Sequence, residues 1–188
     1  MFMSGKMFKD REKIICVTNR RLCEIPLEER LEELVKAGIR RVILREKDLS
    51  EEEYIALAKK LTGISGLELT LHNFPNAARE LCIRRIHLPL FMLTAEICAE
   101  FETAGASVHS AEEAREAERL GASYVIAGHI FATDCKRELP PRGLDFLKEV
   151  CGSVGIPVYA IGGITPENAQ SVLNAGAAGV CVMSGLMR

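Results

Sequence analysis

The chain has 188 residues, 48% of them hydrophobic and 27% charged, which supports one buried core and makes a single domain the expectation. A formal net charge of -2 gives no global pull toward nucleic acid or an anionic membrane and leaves a local phosphate pocket as the remaining polyanion chemistry. The seven cysteines are odd in number and lack C-x-x-C spacing, which argues against a disulfide framework or a zinc site and fits a reducing cytoplasm.

Residues 1–12, "MFMSGKMFKDRE", are polar and read as a flexible extension, neither a signal peptide nor a membrane span. From residue 13 to 188 short β-rich runs alternate with stretches of helical spacing. In chain order they are strand 13–18, helix 26–38, strand 41–45, helix 50–63, strand 67–71, helix 73–82, strand 84–88, helix 94–101, strand 105–109, helix 110–121, strand 124–128, helix 142–153, strand 157–161, helix 165–176 and strand 179–183. Several of the helices open on Ser, Thr, Asn or Pro and close on Gly, as helix caps do. Eight strands with intervening helices predict a small (β/α)8 TIM barrel. The competing open doubly wound sheet lacks its glycine-rich first turn, since "VTNRRLCEI" (17–25) contains no glycine. After the eighth strand only "SGLMR" remains, so the last helix is expected to be one turn long, absent, or supplied by a neighbouring copy, which favours a homo-oligomer such as a dimer.

Barrels of this kind do their chemistry at the C-terminal ends of the strands. "IGGIT" (161–165) and "MSG" (183–185) put Gly162, Gly163, Ser184 and Gly185 in the loops after strands seven and eight, where backbone N–H groups can hold a phosphate. "LREKD" (44–48) puts Arg45 and Lys47 on one side of the extended chain, as anion-binding cations or as part of a solvated charge run. Asn73 and Ser107 are assigned to the C-terminal ends of strands three and five. His129, at the end of strand six in "AGHIFATDCK" (127–136), is placed to exchange a proton near neutral pH or to be a satisfied core histidine. His72, His87 and His109 read as structural or supporting, and Cys135 beside Lys136 is a weak nucleophile signal.

The runs "VILREKDLSEEEYIALAKKL", "SVHSAEEAREAERLGASYVIAGHIFATDCK", "PPRGLDFLKEV" and "IPVYAIGGITPENAQSVLNAGAAGVCVMSG" resemble the thiamine phosphate synthase/TenI superfamily from about residue 13 to the end. That resemblance implies a (β/α)8 barrel that binds a phosphorylated thiazole, with Arg45, Lys47, Asn73, Ser107, Thr133, Lys136, Gly162, Gly163, Ser184 and Gly185 around the ligand. The synthases of the family join the thiazole phosphate to a pyrimidine pyrophosphate with magnesium held by aspartates. Here "HN" (72–73) and "HLPLFM" (87–92) stand where those carboxylates are expected. "GHIFATDCK" instead resembles the TenI-type thiazole tautomerase, whose histidine, here His129, shifts a proton within carboxythiazole phosphate without a cofactor. The resemblance therefore implies a tautomerase, and the cysteine usage and polar start place it in the cytoplasm. The alternatives are a thiamine phosphate synthase, which would bring magnesium, and a non-catalytic thiazole- or thiamine-phosphate-binding regulator. No nucleic-acid or membrane partner is expected under any of them.

Overall fold

The computed structural model describes residues 8, 10–133 and 139–188. The expected extension, residues 1–12, lies largely outside the described residues. Eight strands alternate with helices: β1 (Ile14–Val17), α1 (Leu27–Lys36), β2 (Arg41–Leu44), α2 (Glu51–Leu61), β3 (Glu68–His72), α3 (Pro75–Glu80), β4 (Arg85–Pro89), α4 (Ala95–Glu100), β5 (Thr103–Val108), α5 (Ala111–Arg119), β6 (Tyr124–Gly128), α6 (Gly143–Ser153), β7 (Val158–Ile161), α7 (Ala169–Asn174), β8 (Gly179–Val182) and α8 (Ser184–Met187). Each strand pairs in parallel with the next. β8 pairs with β1, Ile15 against Cys181, and closes the barrel.

The strands are apolar without interruption because both faces are buried. The outward face packs on the helices, as with Ile14, Cys16, Val42, Leu44 and Ile86. The inward face contributes Ile15, Val17, Ile43, Tyr124, Ile126 and Cys181, with Tyr159 and Ile161 against them. Alternation along β1, with Ile14 and Cys16 out and Ile15 and Val17 in, is the two-residue period of a strand. Small and large residues are matched across the interior. A Cβ at Gly105 of β5 would lie 2.1 Å from the Cζ of Tyr124 in β6, so only glycine leaves that ring its place.

Helix starts follow local chemistry. Ser50 and Glu53 form a reciprocal capping box at α2, and Thr94 and Ser110 accept from the N–H groups of Ile97 and Glu113. The helix expected over 165–176 is shorter. Residues 165–168 form a turn in which the Asn168 side chain accepts from the Thr165 N–H at 2.9 Å and donates to the Gly163 carbonyl at 2.9 Å. Thr165 therefore does not cap α7, which begins at Ala169. The last helix is the single turn α8, whose Leu186 and Met187 are buried and whose Met187 sulfur meets Cys23. Among the described residues, the 3-10 turns Arg11–Lys13, Arg20–Leu22 and Leu90–Met92 have no counterpart in the sequence reading.

Candidate functional site

Loop geometry at the C-terminal end of the barrel builds one cavity of about 950 Å³. The side chains of "LREKD" separate by parity. Arg45 and Lys47 line the cavity, while Glu46 and Asp48 turn the other way and bind the β1 loop. Glu46, 4% exposed, accepts from the Thr18 hydroxyl at 2.6 Å, from the Arg20 N–H at 3.0 Å and from Arg20 Nη1 at 3.1 Å. Asp48 takes both Arg20 Nη groups, at 2.7 and 2.8 Å, and the hydrogen bond from that guanidinium holds its carboxyl down at about 2. Thr18 also accepts from the Arg45 N–H at 2.9 Å, which fixes the backbone from which Arg45 extends.

A residue that sequence reasoning missed ties the next loop to this one. Tyr54 of α2 is fully buried, donates to the Leu44 carbonyl at 2.6 Å and accepts from the His72 N–H at 2.8 Å. One hydroxyl thus bridges the ends of β2 and β3. Its only sequence signal is an aromatic on the apolar face of a helix, which reads as core. Beyond it, Asn73 adopts a left-handed φ of 68° and lines the cavity; its Oδ1 is buried without a hydrogen-bond partner among the described residues.

The histidines divide the wall among them. His72 and His87 stack with ring centroids 5.9 Å apart. Burial, with the nearby charges of Arg45 and Lys47, lowers His72 to about 4, and burial with the neighbouring His72 lowers His87 to about 3. Both rings are therefore neutral near pH 7. His109 Nδ1 lies 3.0 Å from the Gly128 carbonyl, which can only accept, so that nitrogen carries the proton and ties β5 to β6. His129, 5% exposed, donates from Nε2 to the Leu139 carbonyl at 3.3 Å.

Ser107, Thr133, Gly162, Gly163, Ser184 and Gly185 line the same cavity, and Lys136 and Cys135 lie outside the described residues. The glycine pair has a packing reason that the sequence reading did not supply. Gly162 and Gly163 have φ of 106° and 63°, and their added Cβ atoms would lie 2.4 Å from the Cβ of His129 and 2.3 Å from the Ala132 carbonyl oxygen. The loops after β6 and β7 are in direct contact there, with Ile130 and Phe131 N–H groups donating to the carbonyls of Ile161 and Gly162.

The magnesium that the family resemblance brings does not fit this wall. The ends of β3 and β4 offer imidazoles and an amide, and Glu46 and Asp48 are held by Arg20 on the far side of the loop. Hard Mg²⁺ takes carboxylate, phosphate and water oxygens in near-octahedral array. Among the described residues no group of three His, Cys, Asp or Glu could hold a metal ion.

Fold and cavity together define a (β/α)8 barrel with a cavity at its C-terminal mouth, lined among the described residues by Arg45, Lys47 and the glycine loops. Residues 14–186 match the family described as thiamine monophosphate synthase, and the chain belongs to that family, which includes TenI. It is 36% identical to a thiamine-phosphate synthase of Clostridium acetobutylicum over 184 residues, covering 93% of this chain and 87% of the relative. Identity is 33% to the thiamine-phosphate synthase of Pyrococcus abyssi over 186 residues, covering 96% and 89%. Among solved structures, thiamine phosphate pyrophosphorylase from Pyrococcus furiosus superposes with a TM-score of 0.82 at 32% identity, covering 95% of this chain and 88% of that one. These relatives overturn the expectation of a TenI-type tautomerase: they are named for the transferase, the alternative reading. No described helix is long and apolar enough to cross a membrane.

Proposed function

We propose that the protein is a thiamine-phosphate synthase, a transferase that joins a thiazole phosphate to a pyrimidine methyl pyrophosphate with release of pyrophosphate. The observation that carries this reading is the presence of two anion-suited regions in one cavity: Arg45 and Lys47 on the β2 side, and the loops of Gly162, Gly163, Ser184 and Gly185 on the β7–β8 side. Two phosphorylated substrates need two such regions, whereas an intramolecular proton shift on one substrate needs one. A volume of about 950 Å³ also suits two small molecules side by side.

In this reading Arg45 and Lys47 hold the pyrophosphate, neutralise its charge as it leaves, and orient the bond that breaks. Backbone N–H groups of the two glycine loops and the Ser184 hydroxyl hold the thiazole phosphate. The ring nitrogen then attacks the pyrimidine methylene carbon. A C–N bond forms, the C–O bond to pyrophosphate breaks, and the electron pair leaves with the pyrophosphate. Asn73, Ser107 and Thr133 supply further polar contacts along the wall. His129 loses the proton-shuttling role that the tautomerase expectation gave it and serves to anchor the mouth loop through Leu139.

The test is a coupled assay of pyrophosphate release and thiamine phosphate formation from the two substrates, run with and without added magnesium. Product that appears only when both substrates are present supports the transferase. Tight binding of thiazole phosphate with no pyrophosphate released in either condition would refute it in favour of a binding protein.

A further inference from the structure

Inside the barrel the hydroxyl of Tyr124 lies 3.1 Å from His87 Nδ1, and His87 Nε2 lies 2.9 Å from Ser107 Oγ. The three side chains come from β6, β4 and β5 and form a line that runs from the core to the cavity, whose wall includes His87 and Ser107. A neutral imidazole has one N–H and one lone pair, so the direction of such a line is decided by whichever end is constrained. His87 is 2% exposed, and burial favours its neutral form.

The constraint lies at Tyr124. Burial keeps its phenol protonated, so the hydroxyl carries a proton that needs an acceptor. Its hydrogen-bond partner among the described residues is His87 Nδ1. Tyr159, edge-on to it with centroids 5.6 Å apart, has its own hydroxyl on Arg41 Nη1 at 2.8 Å. The ring is also held in place by the absence of a side chain at Gly105, where a Cβ would come within 2.1 Å.

We propose that Tyr124 and His87 are positioning residues that turn the Ser107 hydroxyl outward, as a hydrogen-bond donor to an anionic oxygen of a phosphorylated substrate. Tyr124 donates to Nδ1, which leaves the ring proton on Nε2. Nε2–H donates to Ser107 Oγ, and the serine proton is directed away from His87 into the cavity. In the opposite tautomer the Tyr124 proton would have no acceptor and the Ser107 proton would point inward to Nε2. The identity of the anion as a transfer substrate rests on the function proposed above; the direction of the hydrogen bonds does not.

Nitrogen-15 NMR of the free wild-type protein, with the His87 signals assigned from a His87→Gln variant, reads the tautomer directly. Protonated Nε2 with a lone pair on Nδ1 is expected near neutral pH, and protonated Nδ1 would overturn the proposal. Calorimetric titration with inorganic phosphate and with inorganic pyrophosphate adds a second readout. Ser107→Ala is expected to weaken at least one of these anions roughly 10–100-fold, the range for a hydrogen bond to a charged group. Tyr124→Phe should weaken the same anion, and the double variant should be no weaker than Ser107→Ala, because Tyr124 acts through Ser107. His87→Gln, whose amide can present an N–H in place of Nε2, should retain more affinity than His87→Leu. Additive losses in the double variant, or unchanged affinity for both anions in Ser107→Ala, would refute it. A wild-type protein that shows this pattern yet makes no product removes the transferase reading and leaves the positioning role standing.

Discussion

A methyl group added at the Cα of Gly162 would lie 2.4 Å from the Cβ of His129, so the loop after β7 can reach its place only without a side chain. Gly162→Ala is expected to destabilise the fold by about 2 kcal/mol or more, from the clash and from a φ of 106°. Gly143→Ala is the control: its φ is 78°, but nothing among the described residues lies within 4 Å of the added atom, so the backbone term of about 1 kcal/mol applies. Urea unfolding of both variants separates the two contributions. Equal losses would mean that contact with His129 adds nothing.

The two anion-suited regions are separable. Arg45→Gln should weaken inorganic pyrophosphate roughly 10-fold or more while leaving thiazole phosphate within about 2-fold, since a charge-assisted contact is lost on one side of the cavity alone. Parallel calorimetric titrations measure this. Equal weakening of both ligands would indicate one shared anion region and would undercut the two-substrate reading.

Tyr54→Phe removes the hydroxyl shared by the Leu44 carbonyl and the His72 N–H. Two buried backbone groups lose their partner, and a loss of roughly 2–4 kcal/mol is expected from chemical denaturation. Amide hydrogen exchange should also accelerate at His72 ahead of the β5 and β6 amides. Uniform acceleration along the sheet would mean that Tyr54 stabilises the barrel globally and does not hold this junction specifically.

Acid should weaken the fold before most carboxylates titrate. His72 and His87 stand at about 4 and about 3 in the folded chain against an ordinary 6.5. Between those values the unfolded chain binds more protons, so stability rises with pH across the window. The contribution is complete above about pH 6.5 and is lost as pH falls through the two folded values. Urea midpoints at about pH 7, 6 and 5 should fall in order, and His87→Gln should flatten the trend. A pH-independent midpoint across that range would show that neither imidazole is neutral and buried.

Restoring a carboxylate at the end of β3 tests the mismatch with magnesium. Mn²⁺ titrated into the free protein and followed by electron paramagnetic resonance should show no tight site at the mouth, whereas Asn73→Asp should create measurable binding. Tight Mn²⁺ binding by the wild-type chain would show that its oxygen donors suffice.

Much of this architecture can be read in the sequence because its signals are local. All eight strands were expected within three residues of their observed ends, since apolar β-rich runs between capped helices are a short-range pattern. The rule that barrel chemistry lies at strand ends then brings Arg45, Asn73, Ser107, Gly162 and Ser184 to one cavity. What escaped is made of partners far apart in the chain. Thr18 with Glu46, Tyr54 with His72, and Tyr124 with His87 have no mutual periodicity, and Tyr124 in "YVIAG" reads only as a core strand residue. The tautomerase reading gave a single loop, 127–136, more weight than the rest of the chain. A histidine at a strand end announces a titratable group, but its Nε2 donates here to a loop carbonyl, and similarity over nearly the whole length points to the transferase.

The burial of Cys16 on the outer face of β1 and of Cys181 on the inner face of β8 bears on how opening of the barrel could be observed. The two residues sit on the strands that close the ring, and burial raises both thiols well above the ordinary range, so neither forms a thiolate while the seam is shut. Cys82, by contrast, is exposed and is expected to react with a thiol reagent before either of them. Labelling in two phases would therefore time the parting of first strand from last, with the protein's own sulfur atoms as the clock.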